Sequence, residues 1–258
     1  MKNFLAKRKL NLICSVAALL LVLLIWVIAY YAVGDDYVVP SFTETMVSLW
    51  ACLGEGEFWT AFAFTLLRTA EAFIISFVLA AVCASVSAFS KVFGELLKPF
   101  MAVLRAIPTL AVILLLLIWT TPGVAPVIVT ILVLFPMLYA QFSAALGEAD
   151  GGLAEMAKVY GISKKERLFK IYIPQIAPNI LAQSGAAFSL GLKLTVSAEV
   201  LSNTFKSLGG LMQTARNFLQ IPRLAALTLV AVFAGLIIEV ALSALVGVTF
   251  KWRKRVGE

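Results

Sequence analysis

The stretch Leu153–Pro178, LAEMAKVYGISKKERLFKIYIPQIAP, is a long charged interval in the second half of an otherwise apolar chain. Its basic residues exclude it from the hydrocarbon of a membrane: Lys158, Lys164, Lys165, Arg167 and Lys170. Apolar residues within it recur at the spacing of one helical face: Leu153, Met156, Val159 and Tyr160. The stretch is therefore predicted to be helical and to lie outside the membrane.

Two local signals divide this stretch. Gly161 predicts that the first helix ends in a left-handed residue. Ser163 and Glu166 follow as S-x-x-E, a capping box that starts a second short helix. Two short amphipathic helices joined by a bend, with apolar side chains on their surface, indicate a docking surface for another protein.

The composition assigns the whole chain to a membrane class. Of its 258 residues, 62% are hydrophobic and 14% are charged, and the mean hydropathy is +0.99. Soluble domains are about 45–50% apolar and about 25% charged. We therefore predict an all-α polytopic membrane protein. The net charge of +7 agrees with the enrichment of Lys and Arg in cytoplasmic loops and does not require nucleic acid as a partner.

Six apolar runs are long enough to span a bilayer, which takes about 20 residues. No basic residue occurs between Lys9 and Arg68, which places the basic N-terminus in the cytoplasm. Six spans then put both termini inside and make residues 1–258 a single transmembrane domain, with a cytoplasmic loop at 150–174. The predicted spans are approximately 10–33, 60–89, 100–119, 124–146, 176–201 and 224–250.

Three shorter features complete the topology. Ser41 and Glu44 predict a capped helix at the outer membrane surface. Arg68 and Glu71 share a helix face and are expected to pair. Residues 203–223 are interpreted as an outer loop.

The chain carries no motif for catalysis or ATP binding. There is no G-x-x-x-x-G-K-[ST] loop and no histidine, and the three cysteines form no metal-binding pattern. Charged residues inside predicted spans are the remaining candidates, because such residues usually face the bundle interior or a water-filled path. We take Arg105, Lys193 and Glu199 as candidates for a translocation path. Each has a structural alternative; for Arg105 it is snorkelling towards the cytoplasm.

The cytoplasmic stretch resembles the coupling loop of bacterial ABC importer permeases. That loop reads E-A-A, three residues, G, nine residues, I, one residue, L-P. The spacing is kept here, with Met156 at the second position and isoleucine in place of leucine: Glu155, Met156, Ala157, Gly161, Ile171, Ile173 and Pro174. The resemblance implies that these residues, with Val159 and Tyr160, couple the permease to an ATPase.

Further elements resemble the nitrate, sulfonate and taurine branch of these permeases, among them Leu104–Pro108 and Ala198–Glu199. The chain departs from the branch at Gln183–Gly185, where G-L-R is usual. That departure leaves a neutral or cationic substrate open beside sulfonate, nitrate, taurine, a pyrimidine vitamin precursor or riboflavin.

The resemblance implies a type I importer permease in the cell membrane of a bacterium. Its expected partners are membrane lipid, a second permease as homodimer, ATPase subunits and an extracytoplasmic binding protein. ATP–Mg would bind to the ATPase, and this chain itself is expected to hold no cofactor or metal. Two alternatives remain: a secondary transporter or channel without an ATPase, and a membrane-embedded enzyme, which would need a polar site that the sequence does not show.

Overall fold

A computed structural model describes residues 2–35, 38–148, 156–157 and 159–249. Every regular element among these residues is helical, as predicted. A π-helical turn, Leu168–Tyr172, lies between α7 and α8. The α-helices are α1 Lys2–Val33, α2 Phe42–Gly54, α3 Gly56–Phe89, α4 Lys91–Ala106, α5 Thr109–Trp119, α6 Ala125–Gly147, α7 Lys164–Arg167, α8 Ile173–Ser202, α9 Leu208–Asn217 and α10 Ile221–Thr249.

Three helices in the described part of the chain are apolar enough over a sufficient length to cross a membrane: Gly56–Phe89, Ala125–Gly147 and Ile221–Val246. They lie close to the predicted spans 60–89, 124–146 and 224–250. A fourth candidate combines α4 and α5, and α1 contributes a shorter apolar segment, Leu20–Val33.

The predicted span 100–119, with Pro108 inside it, falls on two helices. The helices α4 and α5 meet at 90°, and the break falls at Ile107 and Pro108, both of which have extended backbone. Proline lacks the N–H that a continuous helix needs, and its ring forces the preceding residue out of the helical region.

The segment 203–223, expected to be a loop, contains the helix α9. Ser207 caps it, because its hydroxyl oxygen accepts the Gly210 N–H at 2.8 Å. The Gly209–Gly210 pair is required by close packing: a Cβ on Gly209 would lie 2.4 Å from Glu199 Cβ, and one on Gly210 would lie 2.3 Å from the Thr204 carbonyl oxygen. The glycine pair therefore allows a tight contact rather than a flexible loop.

The most extensive helix contact joins α3 to α6. From Ala61 onwards, the buried side chains of α3 are small and spaced three or four residues apart: Ala61, Thr65, Thr69, Ala72, Ser76, Ala80 and Ala84. Small side chains let two helices approach closely, which is the usual basis of helix association in a membrane. Larger side chains of α6, such as Leu138 and Phe142, fill the remaining space against Ala80 and Ala84.

Helix α8 is packed against α3, α5, α6, α9 and α10. Gly185 marks its closest approach to α10, because a Cβ there would lie 2.9 Å from the Glu239 carbonyl oxygen. With neighbours on several sides, α8 does not need an apolar surface all round. This explains why it is long enough to span a membrane yet less apolar than α3, α6 and α10.

A buried ion pair joins α3, α8 and α9. The Glu199 carboxylate is fully buried and accepts hydrogen bonds from Arg68 Nη1 at 3.0 Å and Thr65 Oγ1 at 2.8 Å. It also accepts the Gly209 N–H at 3.2 Å. The expected pairing of Arg68 with Glu71 is wrong: Arg68 pairs with Glu199, and the Glu71 side chain is exposed.

We expect Glu199→Ala to lower the free energy of unfolding by about 3–5 kcal/mol, the usual cost of removing one partner from a buried pair. The substitution would remove the acceptor of the Gly209 N–H and leave the Arg68 guanidinium with the carbonyl oxygens of Phe205 and Lys206, both at 3.4 Å. Thermal unfolding of the detergent-solubilised protein measures the effect. Glu95→Ala is the matched control, since Glu95 pairs with Lys98 at 2.7 Å on the surface, where such pairs contribute little. Equal shifts of the unfolding midpoint in Glu199→Ala and Glu95→Ala would contradict a stabilising role for the buried pair.

Candidate functional site

The helical turn that contains Met156, Ala157 and Val159 ends at Gly161. Gly161 has φ +68°, and the Ile162 N–H donates to the Ala157 carbonyl oxygen at 2.9 Å. This is the six-residue bond of a Schellman cap, so the predicted left-handed helix end is present. A Cβ at Gly161 would meet no atom within 4 Å. Only the backbone conformation therefore requires glycine here.

The apolar side chains of this turn project outwards. Val159 is 85% exposed and Tyr160 is 77% exposed, and about half of Met156 is exposed; Ala157 is buried. The neighbouring charges keep the segment in water, where clustered apolar side chains usually mark a contact with another protein. Glu155 lies outside the described residues.

The capping box predicted from Ser163 and Glu166 is present. Ser163 Oγ accepts the Glu166 N–H at 3.3 Å and donates to Glu166 Oε2 at 3.0 Å. Lys170 Nζ donates to Glu166 Oε1 at 3.0 Å. The hydrogen bonds from Lys170 and Ser163 hold the pKa of the Glu166 carboxyl below its usual value. The start of α7 is thus anchored by a carboxylate that stays ionised at neutral pH.

The second short helix is not separate from the fifth predicted span. Helix α7 continues through the π-helical turn Leu168–Tyr172 into α8, which begins at Ile173 instead of near residue 176. Pro174 explains the turn, because its ring would clash with the carbonyl of the residue four positions earlier in a regular α-helix. The wider π-helical turn avoids that clash. Of the motif residues in this region, Ile171 is half-buried, while Ile173 and Pro174 are exposed.

Tyr172 connects this segment to the bundle. Its ring contacts Phe89 at the end of α3 edge-to-face, with 6.0 Å between ring centroids. One turn further along, Ile176 packs in the same core cluster as Phe142 and Leu146 of α6. Tyr172 and Ile176 therefore join the start of α8 to the ends of α3 and α6.

The three charged candidates lie in different environments. Glu199 is enclosed by its hydrogen-bond partners. It does not line a translocation path itself and could affect one only through the positions of α3 and α9, to which it is bonded. Arg105 Nη2 donates to the carbonyl oxygen of Pro136 at 2.9 Å. Pro136 is the middle residue of α6, so the exposed side chain of Arg105 contacts α6 halfway along its length. The structural alternative for Arg105, snorkelling towards the cytoplasm, stays a prediction.

Lys193 lies on an exposed face of α8 and makes no ion pair with any residue that the structure describes. The same face is polar or small along its length: Asn179, Ala182, Ala186, Lys193 and Ser197 are all exposed. Gln183 beside it donates to Asn179 Oδ1 at 3.0 Å. The position of Lys193 along α6 follows from Gly191, two residues earlier, where a Cβ would lie 3.0 Å from Leu134 Cδ1. Lys193 and Arg105 therefore lie near the same level of α6.

No group of three His, Cys, Asp or Glu side chains within the described ranges could hold a metal ion. Sequence reasoning missed the polar face of α8 as a whole. The exposed positions recur at helical spacing from Asn179 to Ser197, and this pattern could have identified the face.

The comparisons with known proteins agree with this geometry. Residues 72–254 match the family model "Binding-protein-dependent transport system inner membrane component". A protein of Escherichia coli K12 named as the aliphatic sulfonates transport permease SsuC is 30% identical over 83% of this chain and 82% of its own length. SsuC of Bacillus subtilis 168 is 26% identical over 84% of this chain and 76% of its own length. A chain from the crystal structure of an amino acid ABC transporter has a TM-score of 0.60 at 19% identity, covering 76% of this chain and 93% of that one.

These findings decide between the functional classes left open by the sequence. The family is the transmembrane subunit of ABC transporters, and its ATPase is a separate subunit, so the chain is not an enzyme. A secondary transporter or a channel is excluded on the same ground. The apolar helices and the family make it a multi-pass protein of the bacterial inner membrane. The chain belongs to the binding-protein-dependent transport system inner membrane components, and it is the permease subunit of an ABC importer.

Proposed function

We propose that the turn ending at Gly161 and the α7 region behind it form the surface that docks into the ATPase. One observation carries this: the apolar side chains of Met156, Val159 and Tyr160 project into water from a turn whose end is fixed by the Gly161 cap. Apolar side chains that are exposed in the free subunit supply binding free energy when a partner covers them.

The remaining motif residues would support this surface. Ala157 lies against the protein, and Glu155 is assigned to the ATPase contact by the family motif alone. Ile171, Ile173 and Pro174 form the π-turn junction with α8, which would carry the movement into the bundle. ATP–Mg would be bound by the ATPase, and this chain would contribute no cofactor site.

For the topology we propose six membrane crossings with both termini in the cytoplasm. The helices α1, α3, the α4–α5 pair, α6, α8 and α10 would be the six, since their order and the positions of the basic residues agree with cytoplasmic ends for α1 and α10. The caps at Ser41 and Ser207 would then begin helices at the outer surface.

We further propose that the permease works as a homodimer around a water-filled path. The polar face of α8, with Asn179 and Lys193 exposed on the single chain, is unfavourable against lipid. A second copy facing it would enclose water between the two subunits. ATP-driven closure of the ATPase pair would rock each bundle as a rigid body and open the path alternately to each side. The extracytoplasmic binding protein would deliver the solute.

The substrate we propose is a small organic anion of the aliphatic sulfonate type. Two relatives are named for aliphatic sulfonates, and Arg105 and Lys193 place two positive charges near one depth of the bundle. The glycine betaine and proline betaine permease ProW of Escherichia coli is more distant, at 24% identity. The arginine missing at Gln183–Gly185 would be replaced in its role by these two side chains.

The Gly161 cap gives the first test. Gly161→Val should reduce ATP-dependent uptake about tenfold or more, because a left-handed conformation costs ordinary residues about 1–2 kcal/mol and is worse for β-branched ones. Gly161→Asn should retain most uptake, since asparagine tolerates this conformation. Uptake is measured in proteoliposomes, with co-purified ATPase as a second readout. Equal loss in both variants would show that backbone conformation is not the requirement.

Tyr160 tests the docking surface itself. Tyr160→Ala should weaken binding of the purified ATPase at least tenfold, as expected for a tyrosine at the centre of a protein interface. Tyr31→Ala is the matched control, because Tyr31 at the end of α1 is also 77% exposed. Each permease variant, in nanodiscs immobilised on a sensor surface, is titrated with purified ATPase, and the titration gives its affinity for the ATPase. A similar affinity for the two variants would remove this face from the contact.

The polar face of α8 is tested by cysteine accessibility. In a chain without Cys14, Cys52 and Cys83, Ala186→Cys should react with a charged, water-soluble thiosulfonate, because only a thiol in contact with water forms the reactive thiolate. Ile237→Cys, on an exposed apolar face of α10, should stay unreactive in the bilayer. Reaction at Ile237→Cys alone would contradict the proposed path.

A further inference from the structure

A cavity of about 490 Å³ lies beside the break between α4 and α5. Its volume is within the range of about 300–1,000 Å³ that is usual for small-molecule sites. The cavity is bounded on one side by the α4–α5 corner and on the other by the middle of α6. Its lining combines three polar residues, Arg105, Thr109 and Gln141, with apolar side chains such as Leu104, Val133 and Met137.

The cavity lies near the middle of the membrane. The Arg105 guanidinium reaches the carbonyl of Pro136, halfway along α6. The 11 residues of α5 rise about 16 Å from the corner, which is roughly half of a hydrocarbon core of about 30 Å. Lipid headgroups do not reach this depth, so a charge there needs water, protein or a bound solute as its partner.

The polar groups of the cavity have unused hydrogen-bonding capacity. Arg105 has five N–H donors, and its one hydrogen bond to a described residue is that to Pro136. Gln141 Oε1 is buried and has no hydrogen-bond partner in the described structure. Rotation of its amide would present either an acceptor or a donor to a ligand.

The backbone at the corner adds to the positive potential. Helix α5 starts at Thr109 with Pro108 as its N-cap, and no side chain caps it. The first N–H groups of a helix have no partner within it, and the helix dipole favours negative charge at this end. Thr109, at the start of α5, and Arg105 both line the cavity, so the positive end of the helix dipole adds to the positive charge of Arg105 there.

We propose that this cavity is the site at which the translocated solute rests in mid-membrane, and that it accepts an organic oxyanion with a short apolar body. Arg105 would bind the oxyanion, with Thr109 and the start of α5 beside it. Leu104, Val133 and Met137 would contact the apolar body, and Gln141 would bind a polar group on it. The proposal rests on the import function above and identifies the residues that hold the solute.

A cysteine-protection assay tests the site directly. Ala140, which lines the cavity, is replaced by cysteine in the chain without its own cysteines, and the permease–ATPase complex is placed in lipid nanodiscs. The rate of alkylation by N-ethylmaleimide is measured against increasing ethanesulfonate. Protection should be clear with ethanesulfonate, weaker with sulfate, which has no apolar body, and absent with tetramethylammonium.

Variants of Arg105 then separate a binding role from a structural one. Arg105→Gln should raise the half-protecting concentration at least tenfold, because a hydrogen-bonded charge is lost, and Arg105→Lys should recover most of the protection. Arg216→Gln is the control, since Arg216 lies exposed on α9 and bonds only to Gln213 among the described residues. The proposal would be overturned if ethanesulfonate protected the Arg105→Gln variant as well as it protects the chain with Arg105. It would also be overturned if tetramethylammonium protected as well as ethanesulfonate. So would an unreactive Ala140→Cys in every nanodisc, because acyl chains would then fill the cavity.

ATP-dependent uptake of ethanesulfonate by the same complex, with its binding protein, distinguishes the two proposals. Protection without uptake by the otherwise unchanged chain would support the cavity site and refute the proposed import of this solute class. Uptake that is unaffected by Arg105→Gln would refute the cavity site and leave the import proposal intact.

Discussion

The buried carboxylate of Glu199 is the contact that fixes how α3, α8 and α9 pack together. It lies on α8, its ion-pair partner Arg68 lies on α3, and the backbone N–H that it accepts belongs to Gly209 of α9. Thr65 Oγ1 donates to the carboxylate and accepts the Leu208 N–H at 2.9 Å. In a low-dielectric interior an ionised carboxylate is tolerated only when such partners surround it. The arrangement therefore specifies one relative position for three helices.

That contact also explains the two glycines that follow. The start of α9 must approach α8 so closely that no side chain fits at Gly209. With its N–H groups bonded to Glu199 and Ser207, α9 needs no support from solvent at this end. Helix α9 is thus attached to α3 and α8, and the opposite ends of these two helices meet at Tyr172. A rigid bundle of this kind can transmit a displacement at one end to the other.

The hydrocarbon environment sets the second constraint. Backbone and side-chain polar groups at membrane depth are tolerated only where they line a cavity or are buried in protein. The break at Pro108 and the polar face of α8 both violate the pattern of a lipid-facing helix. In the homodimer that we propose, both features would face the inside of the assembly. Arg105 and Lys193 lie near one level of α6, so the proposed path would carry two positive charges there.

Local signals in the sequence were reliable where their partners lie only a few residues away. The Gly161 cap, the Ser163–Glu166 box and the Ser41 cap all formed as predicted, because each depends on bonds spanning three to five residues. Apolar length likewise located α3, α6 and α10. The helix α9 was missed because its glycine pair is a signal for a loop until the contact with Glu199 is known.

The sequence by itself determined the membrane class, the long helices and the capped cytoplasmic segment, because hydropathy and capping act over short distances along the chain. Only the tertiary structure decided the partner of Arg68, which is 131 residues away instead of three, and the position of Arg105 beside Pro136. Both depend on which helix faces which. That choice arises from the summed packing of small side chains on α3 and α8, and no short segment encodes it.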